Sequence, residues 1–176
     1  EPIEIVALGS NIRSDVVTSP DPVIVSLKFP SKRLASFTVC FSGSKYDTYN
    51  IVGTKGSICV DPAFMYGPSI AIEYTMIQDG KVTKHTNPPC DQFAGQVSYF
   101  SQCIIDDVPV ESDGTEGLLD VRVLEAIEKA ITTGEKQTLP PVEHPVGKRQ
   151  VYNLPYGQAI KPMVNVLVLN KDVINQ

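Results

Sequence analysis

Four cysteines and two histidines are the first residues to weigh for chemistry: Cys40, Cys59, Cys90 and Cys103, with His85 and His144. A thiol nucleophile needs a base and an orienting group beside it. Here the candidates lie on separate segments at long, irregular gaps, and no two cysteines stand at C-x-x-C spacing. That pattern points to neither a structural zinc site nor a Cys–His catalytic pair. Free thiols are expected instead, which fits a reducing, cytoplasmic compartment. The carboxylates Asp106, Asp107, Glu111 and Asp113 lack the glycine-kinked loop and closing glutamate of a calcium site, so a solvated loop between helices is expected. No metal-ligating residue is assigned.

The link Gly53-Thr54-Lys55-Gly56 could cradle a phosphate only if a helix followed it. A β-rich run at 57–60 follows, so a hairpin is expected. Polar side chains where a helix opens are better placed to meet a ligand. Asp91 and Gln92 open the first helical segment, near its free N–H groups, and Tyr99 lies two turns further on. These three are the candidate substrate-facing residues. Each also has a plainer role, Asp91 as an N-cap and Tyr99 as a ring at the core boundary. Lys45 and Tyr46 read as solvated loop residues, and Arg122 as an ion-pair partner.

The elements that must position these residues follow from hydrophobic period. Alternation of period two marks strands near 3–8, 23–29, 35–41, 49–52, 57–60, 70–77 and 82–86, with Asp79-Gly80 as a two-residue turn. The period then changes. Phe93, Val97, Phe100 and Ile104 fall at helical spacing, and a second helix carries Leu119, Val123, Ala126, Ile127 and Ala130 on one stripe. Asp113 and Glu116 stand at capping-box spacing before it, and Gly134 is its expected left-handed stop. A last short strand is expected at 137–139. The fold class is therefore α+β: an open, mostly antiparallel sheet of six or seven strands with two helices packed on one face.

The chain of 176 residues is 42% hydrophobic and 20% charged, which suits one globular domain. We place it at 1–140, with an extended tail at 141–176. In that tail Val164, Val166 and Val168 could dock on a sheet edge, including one from a second copy. The net charge of −5 argues against nucleic acid as a partner, since phosphates demand a basic surface. No apolar run approaches the roughly 20 residues of a membrane span. No secretory leader is visible, and a first residue of Glu1 suggests processing or a piece of a longer protein.

Three stretches carry a resemblance: 49–63 (YNIVGTKGSICVDPA), 91–104 (DQFA…YFSQCI) and 113–127 (DGTEGLLDVRVLEAI) with Gly134 beyond. Together, in this order, they resemble the C-terminal domain of the Gfo/Idh/MocA oxidoreductases, of the glucose–fructose oxidoreductase type. The resemblance implies a parent whose N-terminal Rossmann domain binds NAD or NADP. It implies hydride transfer to or from a sugar or related alcohol. This chain would roof the substrate and mediate oligomerisation. The family's G-x-G-x-x-G fingerprint and E-K-P motif are both absent, so no catalytic or cofactor-binding residue carries over to any position here. The chain alone is expected to be inactive. A sheet shaped to meet another body should expose an apolar face, so a homo-oligomer through that face is expected. The alternatives are a stand-alone interaction or self-association module of the same fold and, last, a small Cys–His hydrolase.

Overall fold

The computed structural model describes residues 1–12 and 14–142. The tail from 143 onward, with its valine run and His144, lies outside the described residues. Among the described residues eight strands and two helices follow in the order β1 (Glu4–Gly9), β2 (Val23–Lys28), β3 (Leu34–Val39), β4 (Tyr49–Gly53), β5 (Gly56–Val60), β6 (Glu73–Gln78), β7 (Lys81–Thr86), α1 (Gln92–Ile105), α2 (Gly114–Thr133) and β8 (Gln137–Thr138). The class is α+β with open antiparallel sheets and two late helices, as the periodicities imply. Hydrogen bonding divides the strands between two four-stranded sheets, and the described chain divides into two compact units.

The first unit comprises Glu1–Ser44 and 111–142. Its sheet runs β3-β2-β1-β8, every neighbour antiparallel. The register sets Ile5 beside Leu27 and Ala7 beside Val25, which puts these four side chains on one face. Helix α2 lies on that face against β1 and β8. Ala126, Ile127 and Ala130 close the core over Ile5, Ala7 and Val25, with Val23, Leu27, Val123, Ile131 and Leu139 around it. Two alanines on the inner stripe let the helix come close to the sheet. The other face, carrying Val6, Leu8, Ile24 and Leu34, stays exposed.

Both ends of α2 form as expected. The Asp113 carboxylate accepts from the Thr115 and Glu116 N–H groups, each at 2.9 Å. Gly134 adopts φ 70° and its N–H closes on the Ala130 carbonyl. After β3 the chain is held by the buried Asp21. Its carboxylate accepts from the Phe41 N–H at 2.8 Å, the Ser42 N–H at 2.9 Å and the Ser42 hydroxyl. That grip ends the strand at Val39, two residues before the run of alternating apolar side chains does.

The second unit, Lys45–Val110, contains the sheet β4-β5-β6-β7, again antiparallel throughout. Thr54 and Lys55 form the β4–β5 turn. Gly56 beyond them sits at φ 156°, and a Cβ there would run into the Ile77 carbonyl oxygen. At the β6–β7 turn Asp79 and Gly80 take φ 51° and 74°, the pair of positive values a tight hairpin requires. The strand expected from residue 70 starts only at Glu73. A turn bonded from the Ile70 N–H to the Gly67 carbonyl occupies the positions before it. Asp47 ties down the same loop, accepting from the N–H groups of Ala63, Phe64 and Met65 at 3.2, 2.9 and 3.1 Å. Phe64 leans on Tyr49, and Tyr66 meets Phe93 of α1 edge-on at 5.1 Å.

Candidate functional site

The three candidate residues sit at the opening of α1. Asp91 takes an extended conformation, φ −81° and ψ 95°, and its carboxylate accepts from the Ala94 N–H at 2.9 Å. The capping role is thus filled. Gln92 is exposed and Tyr99 half-buried. Seven residues of helix separate them, close to two turns, so they share one face about 10 Å apart along the axis. Gln96 falls between them on that face and is exposed too. The sequence reading placed it off the apolar stripe without proposing it. Its signal is the spacing: Gln92, Gln96 and Tyr99 stand at i, i+4 and i+7. The geometry brings together two amides and a phenol, groups that hydrogen-bond hydroxyls in both directions.

The other residues weighed for chemistry are occupied structurally or stand alone. His85 stacks on Tyr74, the rings 4.6 Å apart and nearly parallel. All four cysteines carry free thiols, with Cys40 and Cys59 exposed and Cys103 buried. Lys45 and Tyr46 are exposed in their loop. Arg122 pairs with Glu1, Nη1 to Oε2 at 3.6 Å. Both oxygens of Glu1 are buried and accept no hydrogen bond, so this guanidinium is what offsets their desolvation. Asp106 and Asp113 serve as helix caps, and the described residues contain no group of three or more His, Cys, Asp or Glu side chains that could hold a metal ion.

The strongest charge arrangement was not foreseen. Glu4, on the central strand β1, receives Lys28 from β2 at 2.6 Å and Lys136, just before β8, at 2.9 Å. The Lys28 bond, then the Lys136 bond, lower the Glu4 pKa to about 2. A sequence offers no cue for this triad, because its members lie 24 and 132 residues from Glu4.

Residues 4–139 match the family model of the oxidoreductase family's C-terminal alpha/beta domain, the Gfo/Idh/MocA type. The chain belongs to this family. Among curated relatives, the D-xylose 1-dehydrogenase [NADP(+)] of Haloarcula marismortui is 22% identical over 134 residues, covering 76% of this chain and 37% of the relative. The D-xylose 1-dehydrogenase (NADP(+)) 2 of Haloferax volcanii is 27% identical over 108 residues, covering 61% and 33%. Among solved structures, the aldose-aldose oxidoreductase of Caulobacter crescentus, complexed with glycerol, superposes with a TM-score of 0.70 at 30% identity. It covers 79% of this chain and 42% of that one. The chain therefore spans well under half the length of the relatives it matches.

The two D-xylose 1-dehydrogenases are NADP(+) enzymes, and a dinucleotide makes definite demands on the residues that hold it. A pyrophosphate binds where a glycine-rich turn leads from a strand into the open N-terminus of a helix. The glycine-bracketed link 53–56 joins two antiparallel strands, and Gly114 and Gly117, at the same spacing, open α2 with a helix and not a strand before them. Both helix starts are closed by aspartate, and α2 adds Glu116 in its first turn. Negative charge at those N–H groups repels phosphate. The described residues do not fit a dinucleotide.

Proposed function

We propose that this chain is the substrate-roofing and self-association domain of an NAD(P)-dependent oxidoreductase acting on a sugar or related alcohol. The observation that carries the reading is the match of 4–139 to a C-terminal domain, made by a chain covering 37% of its xylose dehydrogenase relative. The dinucleotide, NAD or NADP, and the catalytic groups then belong to an N-terminal Rossmann domain outside this sequence. The chain alone is inert. Gln92 and Tyr99 face a small sugar-like substrate, with Asp91 fixing the helix that presents them. Residues 1–140 form the functional unit. Homo-oligomers form through the open face of Val6, Leu8, Ile24 and Leu34, an exposed apolar patch beside the Glu4, Lys28 and Lys136 ion pairs. Free thiols support a cytoplasmic setting. No described helix is long and apolar enough to cross a membrane.

Titration of the folded chain with NADH and NADPH, followed by nicotinamide fluorescence with circular dichroism as control, tests the reading. A folded chain that binds neither agrees with it. Saturable binding at micromolar cofactor would overturn it. In the protein carrying both domains, Gln92→Ala or Tyr99→Phe should lower kcat/KM about tenfold with cofactor affinity unchanged, as loss of one substrate hydrogen bond does.

A further inference from the structure

The face of the first sheet turned away from α2 contains a hollow that the strand register creates. Ser26 stands between Val6 on β1 and Ser36 on β3, and the next row along the sheet holds Glu4, Lys28 and Leu34. Both rows line the hollow. Two serines side by side among longer neighbours leave a cavity of about 370 Å3, within the range of small-molecule sites. Lys136 closes one side. The Glu4 carboxylate holds both lysines, Lys28 on one oxygen at 2.6 Å and Lys136 on the other at 2.9 Å. Each ammonium carries three donors, so this clasp leaves both able to donate again. Glu4, with its pKa at about 2, keeps its charge near neutrality, and two ammonium groups against one carboxylate leave the lining with a positive excess.

We infer that this hollow binds a small organic carboxylate, its head between Lys28 and Lys136 and its apolar body over the serines against Val6 and Leu34. Charge selects the class. A single positive excess balances a monoanion, whereas a phosphate dianion would set an unbalanced negative charge beside Glu4. The lining also offers neither the arginine fork nor the helix N-terminus that suits phosphate. Because Glu4 already fixes both lysines, little side-chain freedom is lost when the ligand arrives. Three other cavities lack this combination. One sets Lys84 against Asp61 and Glu73, one beside the β4–β5 turn has Lys55 alone, and in the third Arg122 is engaged by Glu1. The hollow lies on the face proposed above for self-association, so the carboxylate and a second copy compete for it. That competition rests on the proposed function; the site does not.

Titration of the dilute 176-residue chain with phenylacetate at low salt tests this, read from backbone amide NMR shifts. The shifts should saturate with a Kd of about a millimolar, as a ligand of this size allows, and stay within β1, β2, β3 and the residues around Lys136. Phenethyl alcohol lacks the charge and acetate lacks the ring, and each should bind about tenfold more weakly. Two variants separate shape from charge. Ser36→Leu fills the hollow and keeps both lysines, while Lys136→Gln removes one ammonium and keeps the hollow. Both positions are exposed, so the circular dichroism spectrum should not change, and each variant should weaken phenylacetate about tenfold. Shifts that never saturate, that spread over both sheets or that survive Ser36→Leu would overturn the site, as would equal binding of the alcohol. Tighter binding of phenyl phosphate would overturn the choice of a carboxylate. Light scattering reads the competition: saturating phenylacetate should move a dimer toward monomer. A dimer that persists with the hollow filled would overturn the competition. A chain monomeric throughout would remove self-association and leave the site standing.

Discussion

The two helices have similar openings and opposite outcomes. Each begins with an aspartate whose carboxylate takes a backbone N–H three residues on, and each carries an apolar stripe at helical spacing. In α2 the stripe turns inward, where Ala126, Ile127 and Ala130 are buried, and six charged residues (Glu116, Asp120, Arg122, Glu125, Glu128 and Lys129) share the rest of its surface with exposed Leu118, Val121 and Leu124. In α1 the stripe is exposed and charge is absent. The difference lies in what each helix was shaped to meet. Helix α2 completes the core of its own unit, while α1 offers a surface to something else. Amphipathic period says that a face will be covered, and the charge on the remaining faces says whether one side or both will be.

Truncation is the largest test of that contrast. Ile127→Ala removes buried atoms from a core with little freedom to relax, and should cost about 3 kcal/mol by denaturant unfolding. Phe100→Ala in the same chain should cost about 1 kcal/mol or less, since half the ring is already in water. Equal costs would mean that α1 is packed in its own unit after all. Gly56→Ala extends the test to the second sheet. The new methyl meets the Ile77 carbonyl, so the β4–β5 hairpin must shift, at roughly 2 kcal/mol.

The caps come next in size. Asp113→Ala and Asp91→Ala each remove a carboxylate from a helix start and should each cost about 1 kcal/mol. Asp113 accepts two bonds where Asp91 accepts one from Ala94, so Asp113→Ala is expected to cost more. If Asp91 also served substrate directly, Asp91→Asn would lower kcat/KM in the two-domain protein while leaving stability nearly unchanged. Asparagine caps about as well as aspartate. A full-activity asparagine variant would confine Asp91 to positioning the helix.

What the sequence made readable was local. Strand runs, the Asp79-Gly80 turn, both caps and the Gly134 stop each depend on neighbours within a few residues, and each is where the pattern placed it apart from two strand ends, at Val39 and Glu73. The division of strands between two sheets was not readable, because pairing is decided by which faces bury each other and not by alternation within one run. Asp21 and Asp47 were missed for the same reason. Each looks like a polar loop residue, and its role appears only when backbone N–H groups 16 to 21 positions away turn toward it. Of the site, Gln92 and Tyr99 could be named from the helix period, and Gln96 could have been from the same count. The direction in which α1 turns its stripe was beyond reach, since it depends on the shape of a surface that period does not describe.

The smallest effects compare the sheets through their ion pairs. In the first sheet Glu4 ties three strands, with two lysines holding its pKa at about 2. In the second, Glu73 bonds Lys84 at 2.6 Å and the Thr86 hydroxyl, which lowers its pKa, while the same pair raises that of Lys84. A depressed carboxylate stabilises the fold above its unfolded pKa, and the contribution fades as pH falls through the folded value. For Glu4 that loss runs from near the ordinary 4.5 down to about 2. Lys84 works in the opposite sense, its contribution intact below 10.5 and lost as pH rises above it. Glu4→Gln should therefore lower the melting temperature at neutral pH by only a degree or so, as exposed pairs do, and the gap from the parent should close by about pH 2. Hydrogen exchange localises the effect. Because β8 has just two residues, the bond from the Leu139 N–H to the Ile3 carbonyl should open faster in Glu4→Gln, while exchange in β6 and β7 stays as it was. Glu73→Gln should reverse that pattern, leaving β8 protected and loosening β7. Faster exchange in both sheets from either substitution would show that the two units open together, and the contrast between them would then lie in their surfaces and not in their stability.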